Sequence, residues 1–436
     1  MQRLGLLRIS LVMLFLFGIY LSIKIPPSSS MTPPASFAGL AAFGLFFLNL
    51  GRIRQKHVLP LVLIISIAFV SILFSPEPKH YFFDRFKGLL LFSYTLGIAY
   101  MFFLETSRWS REQLSNLFLF FIMFILIGCI LENYAGLGSI SDAFRQTVFA
   151  SGVYDGDERD MWFSGIIRPK LFTSEPSHVG KFFILSLIAW LALSTYRWRY
   201  AFFIVFFALG FFLIRSPMVA MSIPAALLVY FFLERKKGGG VHRQISFVFS
   251  LITFATVGVF LLLTFSFTLL SNRVNAVESG SEDSFNIRIL TPVFVTGFTL
   301  QKSPLFGAGI SGTESIWPEI RAGLNAAGVR KANDYQDLDK LLKNVFFMHW
   351  IYYGLLGGVI MLFALHRFML VMGVRHSLFC FLVISVFANT MAGPHSPRFW
   401  TFFVVIMLIS QTIAREKKKQ QEETEIIKFL ELKDVR

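Results

Sequence analysis

The chain has 436 residues, of which 55% are hydrophobic and 15% charged, and its formal net charge is +15. Soluble domains contain about 25% charged residues, so this composition excludes an ordinary soluble domain and indicates a membrane protein. The basic residues cluster in short breaks between apolar segments, not in a stripe with exposed aromatic residues, which argues against nucleic acid as a partner.

Twelve apolar runs predict an all-α, polytopic membrane helix bundle over residues 1–413. The first run begins with Arg3 and Arg8 but lacks a small-residue cleavage site, so we expect a retained helix instead of a removed signal peptide. Several runs are shorter than the roughly 20 residues that span hydrocarbon, so their ends are predicted only to within several residues. The runs lie near residues 4–23, 35–50, 58–74, 88–104, 114–133, 176–195, 200–214, 218–233, 245–270, 345–365, 377–392 and 399–413.

The basic residues set the orientation of the bundle. With the N-terminus inside, the inner helix ends and short loops hold fifteen Lys and Arg residues, whereas the short outer loops hold six. Because cytoplasmic loops are enriched in basic residues, we expect both termini in the cytoplasm and a charged, helical cytoplasmic tail over residues 414–436. Two long loops, 135–175 and 271–344, then lie on the outer, periplasmic side. The second contains the amphipathic stretch "DYQDLDKLLKNVFF" and is predicted to be partly helical.

The stretch "RPKLFTSEPSHVGKFF" is an unusually polar boundary between the first long loop and an apolar run. Ser174 can cap the following helix, and Pro176 suits its first turn. A helix N-terminus favours anions, and Arg168 and Lys170 upstream reinforce that preference. The carboxylate of Glu175 therefore completes a cap, pairs with a nearby arginine, or is poised as a general base.

Two arginines stand at the outer ends of apolar runs. Arg215 lies almost alone in "FLIRSPMVAM"; an arginine costs about 2.5–3.5 kcal/mol at the centre of a membrane helix and less at its edge. The Arg215 side chain either extends to the membrane interface or has a functional role. The scarcity of basic residues on the outer side favours a functional role. Arg288 follows the ninth run, and Glu282 and Asp283 are close enough in sequence to pair with it.

Two further outer stretches carry histidine. "KNVFFMHWIYYGLLGG" opens the tenth run with Lys343, Asn344 and His349, and its aromatic residues also suit an interfacial belt. "GPHSPRFW", with His395 and Arg398, is an outer turn before the last run. The Gly-rich stretch "SPLFGAGISG" predicts a tight turn, because no βαβ context surrounds it to make a nucleotide site.

These patterns together place Arg168, Arg215, Arg288 and Glu175 at the outer mouth of one bundle. A guanidinium fork bonds two oxygens and keeps its charge, so we expect the three arginines to bind a substrate diphosphate. Fixed arginines also stabilise the negative charge that develops as a lipid diphosphate departs. Because fixed arginines can supply this stabilisation, we expect neither a metal nor another cofactor.

The segment "RPKLFTSEPSHVGKFF" resembles the middle of bacterial O-antigen polymerases of the Wzy type. "IRSPMVAM", then an arginine after the ninth run, "SPLFGAGISG" and "NVFFMHWIYYGLLGG" resemble the broader O-antigen polymerase and ligase superfamily in the same order. The similarity covers residues 160–365, and the first four runs match only in hydrophobicity.

The resemblance implies a metal-independent, GT-C-type glycosyltransferase of the bacterial inner membrane that acts in lipopolysaccharide biosynthesis. Such polymerases transfer a growing glycan from undecaprenyl diphosphate to the non-reducing end of an incoming lipid-linked repeat unit on the periplasmic face. It implies that Arg215 and Arg288 grip the donor diphosphate and that Arg168 and Glu175 belong to the polymerase-like outer loop. Its implied partners are undecaprenyl-diphosphate-linked oligosaccharides, membrane lipids and a chain-length regulator protein.

The acceptor hydroxyl needs a general base within hydrogen-bond reach. The candidates are Glu175, His178 and His349, of which we prefer Glu175. In the ligases of this superfamily, the resembling segment has a histidine shortly before the asparagine that opens the tenth helix. This chain reads "LDKLLKN" there, and so departs from the ligase pattern.

Two alternative functions stay open. An O-antigen ligase performs the same chemistry but transfers the polymer to lipid A–core oligosaccharide. A non-enzymatic flippase or transporter moves lipid-linked oligosaccharides without chemistry. Transporters place charges near the bilayer midplane, whereas most ionisable residues here gather at the outer boundary, which favours an enzyme.

Overall fold

Long apolar runs satisfy their backbone hydrogen bonds internally by forming helices. The computed structural model describes residues 2–25, 33–149, 156–234, 286–329, 341–342, 344–388, 391 and 393–434, and these contain helices and no strand. The predicted all-α class is therefore confirmed. The α-helices are α1 (Gln2–Leu21), α2 (Ser36–Asn49), α3 (Gln55–Leu73), α4 (Phe82–Thr106), α5 (Arg111–Tyr134), α6 (Leu137–Val148), α7 (Asp157–Ser164), α8 (Pro176–Leu193), α9 (Arg199–Ile214), α10 (Ser222–Val229), α11 (Thr291–Lys302), α12 (Trp317–Ala326), α13 (Val345–Val371), α14 (Ser377–Val386) and α15 (Pro397–Asp434).

Eleven of the twelve predicted runs coincide with helices of the structure; the ninth, near 245–270, lies outside the described residues. Among the described residues, six helices are long and apolar enough to cross a membrane: α3, α4, α5, α8, α13 and the first part of α15. Five shorter apolar helices accompany them. The protein is therefore a helical membrane protein.

Helices α8 and α15 form the centre of the described bundle. In each, 89% of the most apolar window is buried by other helices, compared with 33% in α3. Helix α8 packs against α5, α9, α10 and α15, and α15 packs against α4. Because the two segments predicted to be outer, "SEPSH" and "GPHSPRFW", lead directly into these two helices, the packing of the helices brings the two segments together.

Most of the predicted inner helix ends that the structure describes meet at one end of the bundle. Arg8 of α1 pairs with Glu105 of α4 at 2.6 Å, and Arg111 of α5 pairs with Glu416 of α15 at 2.9 Å. Arg415 donates hydrogen bonds to two backbone carbonyls in the connection between α4 and α5. The alternating helix directions that the charge pattern predicts are thus present over these elements.

Both long loops contain helices, although the sequence predicts helix only in the second. The first, 135–175, contains α6 and α7, and the second, 271–344, contains α11 and α12. The predicted amphipathic stretch falls mostly outside the described residues, although Leu341 and Leu342 are buried. The charged tail continues α15 as a helix to Asp434, as predicted.

Helix α13 is interrupted by the Gly-rich turn of the second loop. Gly354 has φ 64° and ψ −169°, which breaks the helical hydrogen-bond ladder. The backbone N–H groups of Ala308 and Gly309 then bond the carbonyls of Ile351 and Tyr352 at 2.7 and 3.0 Å. The turn predicted from "SPLFGAGISG" is therefore inserted at the break in α13. Its backbone N–H groups donate to the carbonyls that lose their helical partners at the break.

We expect Gly307→Ala to destabilise this insertion strongly. Gly307 has φ +65°, and a Cβ atom there would lie 2.3 Å from the Ile351 carbonyl oxygen. The backbone strain alone costs on the order of 1–3 kcal/mol, and the clash adds to it. The melting temperature of the detergent-purified protein should fall clearly. Gly297→Ala is the matched control, because no atom lies within 4 Å of the new Cβ; equal melting temperatures for the two variants would contradict the prediction.

Candidate functional site

Glu132, at the end of α5, shapes the polar segment that precedes α8. Its carboxylate accepts hydrogen bonds from the backbone N–H groups of Lys170 at 3.0 Å and Leu171 at 2.6 Å. Leu171 and Phe172 have φ of 40° and 63°, a left-handed conformation that non-glycine residues rarely adopt. Ser141 Oγ accepts the N–H of Phe172 at 3.0 Å. The strained backbone is thus held by side chains of α5 and α6, a pattern that clusters at functional sites.

Arg145 of α6 fixes the next part of the same segment. Its side chain is fully buried, and Nε donates to the carbonyl of Thr173 at 2.8 Å while Nη2 donates to that of Ser174 at 3.4 Å. Nη1 forms an ion pair with Asp142. The backbone that delivers Glu175 to the start of α8 is therefore anchored on both sides.

Glu175 is the N-cap residue of α8, and Pro176 occupies the first turn as predicted. The prediction that Ser174 caps the helix is wrong, because its Oγ instead contacts His178 Nδ1 at 3.3 Å. The Glu175 carboxylate does not cap the helix either; its Oε2 accepts a hydrogen bond from Ser177 Oγ at 3.0 Å. The carboxylate is thus oriented by a neighbouring hydroxyl and is only partly buried.

Arg398, the second residue of α15, joins three helices next to Glu175. Nη1 donates to His178 Nε2 at 2.5 Å, Nε donates to the carbonyl of Ile19 at 3.2 Å, and Nη2 donates to that of Tyr20 at 3.1 Å. Because Nε2 accepts, the proton of a neutral His178 is assigned to Nδ1, where it points to Ser174. His178 therefore acts as a base through Nε2 only if Arg398 moves away.

The structure brings two of the three predicted phosphate-binding arginines to one loop. Arg168 donates from Nε and Nη2 to Asp160 Oδ1 at 2.8 and 2.7 Å. Arg215 ends α9 in a left-handed conformation, with φ 47°. Its guanidinium lies 5.5 Å from the centre of the Phe212 ring, and its Nη1 is 3.8 Å from the Cβ position of Gly165. Arg215 thus approaches the loop that also carries Arg168.

A cavity of about 360 Å³, which we call the polar cavity, opens beside this loop between α5, α6 and α7. Gly165, which lies next to the guanidinium of Arg215, also lines it. Its polar lining residues are Glu132, Asn133, Tyr134, Asp142, Arg168 and Lys170.

Arg288 lies in a short π-helical turn, Asn286–Leu290, directly before α11. Its carbonyl oxygen accepts a hydrogen bond from Asn344 Nδ2 at 3.3 Å. The side-chain oxygen of Asn344 also caps α13 by accepting the N–H of Phe346 at 3.2 Å. Arg288 is therefore tied to the N-terminus of α13, where the sequence places His349.

His349 lies in an apolar setting. Its Nε2 contacts the carbonyl oxygen of Gly358 at 3.0 Å, across the break in α13. The ring also packs edge-to-face against Trp350 and Tyr353, with centroids 5.1 and 5.3 Å apart. This histidine lines a second cavity of about 310 Å³, the apolar cavity, whose wall is almost entirely hydrocarbon and aromatic.

The group formed by Glu175, His178 and Arg398, which we call the polar cluster, meets the apolar cavity at the start of α15. Arg398 faces His178, whereas the next two residues, Phe399 and Trp400, line the apolar cavity. His395, in the preceding turn, packs against Tyr352 with ring centroids 5.7 Å apart. Burial lowers the pKa of His395 to about 4, so this imidazole is neutral near pH 7.

In the part of the chain that the structure describes, no group of three or more His, Cys, Asp or Glu side chains is arranged to hold a metal ion. Comparison of the chain with protein-family models, curated proteins and solved structures finds no match. The functional argument therefore depends on the geometry of the site and on the sequence resemblance.

Three contributors to the site are absent from the predicted residues. The sequence predicts Arg398 only as part of a turn, although it is a single arginine before an apolar run on the predicted outer side, the same signal that indicates a role for Arg215. Glu132 and Arg145 carry no comparable signal. Their partners lie 28 to 39 residues away in the sequence, so only the folded chain reveals them.

We expect Glu132→Gln to loosen the segment that leads to Glu175. An amide has one acceptor oxygen and turns an NH₂ donor toward the second backbone N–H, so one of the two hydrogen bonds is lost. An unsatisfied buried N–H costs about 1–3 kcal/mol. Amide hydrogen exchange over residues 168–175 should become faster. Glu158→Gln, at an exposed residue of α7, is the control, and unchanged exchange in Glu132→Gln would contradict the assignment.

Proposed function

We propose that this protein is an oligosaccharide repeat-unit polymerase of the O-antigen polymerase type. It transfers a growing glycan from undecaprenyl diphosphate to the non-reducing end of an incoming lipid-linked repeat unit. The observation that carries the proposal is the junction at Arg398, Phe399 and Trp400, where a charged cluster adjoins an apolar cavity. An amphiphilic donor with an anionic head and a hydrocarbon chain needs both surfaces side by side.

The charge of Arg398 supports an anionic substrate. Its hydrogen bonds go to two backbone carbonyls and an imidazole, which do not neutralise a guanidinium. Within the described residues, no carboxylate forms an ion pair with it. By contrast, Arg168 is already paired with Asp160. Arg398 therefore offers positive charge to a departing diphosphate more readily than Arg168 does.

The proposed reaction is a metal-independent displacement at the anomeric carbon of the donor glycan. The acceptor hydroxyl oxygen forms the new bond to this carbon, and the bond to the diphosphate oxygen breaks. Glu175 takes the hydroxyl proton, while Arg215 and Arg288 stabilise the charge that accumulates on the diphosphate. His178 keeps its hydrogen bond to Arg398, and His349 contributes to the apolar cavity.

The proposed function also implies a membrane location, a topology and a partner for the protein. The protein adopts a GT-C-like bundle with twelve spans in the bacterial inner membrane, both termini lie in the cytoplasm, and the reaction takes place on the periplasmic face. A chain-length regulator acts as a separate partner. The helix ends that meet around Arg8 and Glu105 support this orientation, because they carry the excess of basic residues.

Deletion of the gene, with surface polysaccharide resolved on a gel, tests the proposal. We expect the ladder of long chains to disappear while a band of core plus one repeat unit survives. Core alone, with polymer accumulating on the lipid carrier, would identify a ligase instead. Repeat units trapped on the cytoplasmic face would identify a flippase, and an unchanged ladder would reject all three.

A further inference from the structure

The polar cavity is a built site, not a gap between loops. Side chains from α5 and α6 and from the loop after α7 converge on it, and the segment behind it is held in a strained conformation. Tyr134, at its edge, is 68% exposed, although it is the last residue of α5, one of the most apolar helices of the chain. An exposed aromatic ring beside convergent polar groups is a feature of small-molecule sites.

The two cations that line this cavity, Arg168 and Lys170, already form ion pairs with neighbouring carboxylates. Lys170 Nζ lies 2.8 Å from Asp157 and 3.4 Å from Asp142, and Arg168 is paired with Asp160. The carboxylate of Glu132 also lines the cavity. An anionic ligand would therefore meet paired cations and lining carboxylates, and repulsion disfavours it.

A neutral, hydroxyl-rich ligand fits this environment well. Each hydroxyl group both donates and accepts, so it can bond to carboxylate or amide oxygens on one side and to Arg or Lys donors on the other. Such bonds to charged groups are stronger than bonds between neutral partners. The apolar face of a sugar ring can also pack against the exposed ring of Tyr134.

We propose that the polar cavity binds a neutral saccharide unit and excludes sugars that carry a carboxylate. In the polymerase this unit would be the end sugar of the acceptor. That role rests on the proposed function, whereas saccharide binding itself does not. The cavity would then restrict the repeat units that the enzyme extends to those whose end sugar is uncharged.

The test is binding of the full-length protein, labelled and held in lipid nanodiscs, to a printed array of neutral, uronic-acid-terminated and sialylated oligosaccharides. We expect binding to a subset of the neutral glycans only. For the best of these, Tyr134→Ala should weaken the affinity by roughly tenfold, equivalent to about 1.4 kcal/mol. Tyr134→Phe should preserve binding, because it retains the aromatic face. Arg321→Ala, at an exposed residue of α12, is the surface control.

Binding no stronger than that of empty nanodiscs, a preference for acidic glycans, or full affinity in Tyr134→Ala would each overturn the proposal. Failure here can be told apart from failure of the polymerase function. An array without binding, together with loss of the polysaccharide ladder on gene deletion, rejects the saccharide site alone. Binding of neutral glycans together with an unchanged ladder rejects the polymerase function but supports the saccharide site.

Discussion

Replacement of Glu175 by Gln is expected to lower the rate of the proposed glycan transfer by about 10²–10⁴-fold, the usual contribution of a general base. Gln keeps the size of the side chain and an oxygen that can accept the hydrogen bond from Ser177, so the start of α8 should remain intact. What it loses is the ability to take a proton from the acceptor hydroxyl. The effect should therefore fall on kcat and not on protein yield.

A purified assay with a synthetic polyprenyl-diphosphate-linked oligosaccharide measures this directly. Glu158→Gln makes the same chemical change at an exposed residue of α7 and should leave transfer unchanged. Glu175→Asp should retain intermediate activity, because it keeps the carboxylate but shortens its reach. If Glu175→Gln keeps near-normal kcat while His349→Gln loses it, the base is the histidine and the assignment to Glu175 is wrong.

The helices of this protein could be predicted closely because their signals are local. The run predicted over 176–195 is α8, Pro176–Leu193, which begins at a proline suited to the first turn. The run predicted over 345–365 is α13, which begins one residue after the capping Asn344 and continues to Val371. Hydrophobicity and helix-start residues are sufficient to predict such elements.

The hydrogen bonds of the site could not be predicted in this way, because they join residues that are distant in the sequence. His178 meets Arg398 across 220 positions, and Tyr20 donates its hydroxyl to the carbonyl of Leu171 across 151. No periodicity or spacing encodes such pairs. The left-handed conformation of Leu171 and Phe172 could not be predicted either, because neither residue type favours a positive φ. Short helices such as α6 have polar sequences that are typical of loops, so hydrophobicity does not predict them.

The contacts also revise the relative importance of the arginines. The sequence predicts Arg168, Arg215 and Arg288 as diphosphate ligands from their outer position and from the resemblance of the motifs around them. In the structure, Arg168 forms an ion pair with Asp160, whereas the hydrogen bonds of Arg398 go to two backbone carbonyls and an imidazole. The predicted position in the membrane therefore identifies candidate arginines. The contacts of each guanidinium then indicate which of these arginines can bind an anionic substrate.

Replacement of Arg398 by Ala should therefore cause a large loss of transfer, by more than tenfold in kcat. It removes the cation beside Glu175 and frees His178 from its fixed tautomer. It also deprives the carbonyls of Ile19 and Tyr20 of a donor, at about 1–3 kcal/mol for each buried group left unsatisfied. Arg398→Lys keeps the charge but not the fork, so it should recover part of the activity and less of the stability.

A loss of stability alone would not explain such a result, and temperature separates the two causes. If Arg398 only holds α1, α8 and α15 together, activity should return when the Ala variant is assayed well below its melting temperature. If the guanidinium acts on Glu175 and the departing diphosphate, kcat stays low at every temperature while Lys restores part of it. Tyr20→Phe is the matched control, because it removes the hydroxyl bond to Leu171 but leaves the carbonyl that Arg398 uses. Full recovery of the Ala variant in the cold would make Arg398 a structural residue and leave Glu175 to work without it.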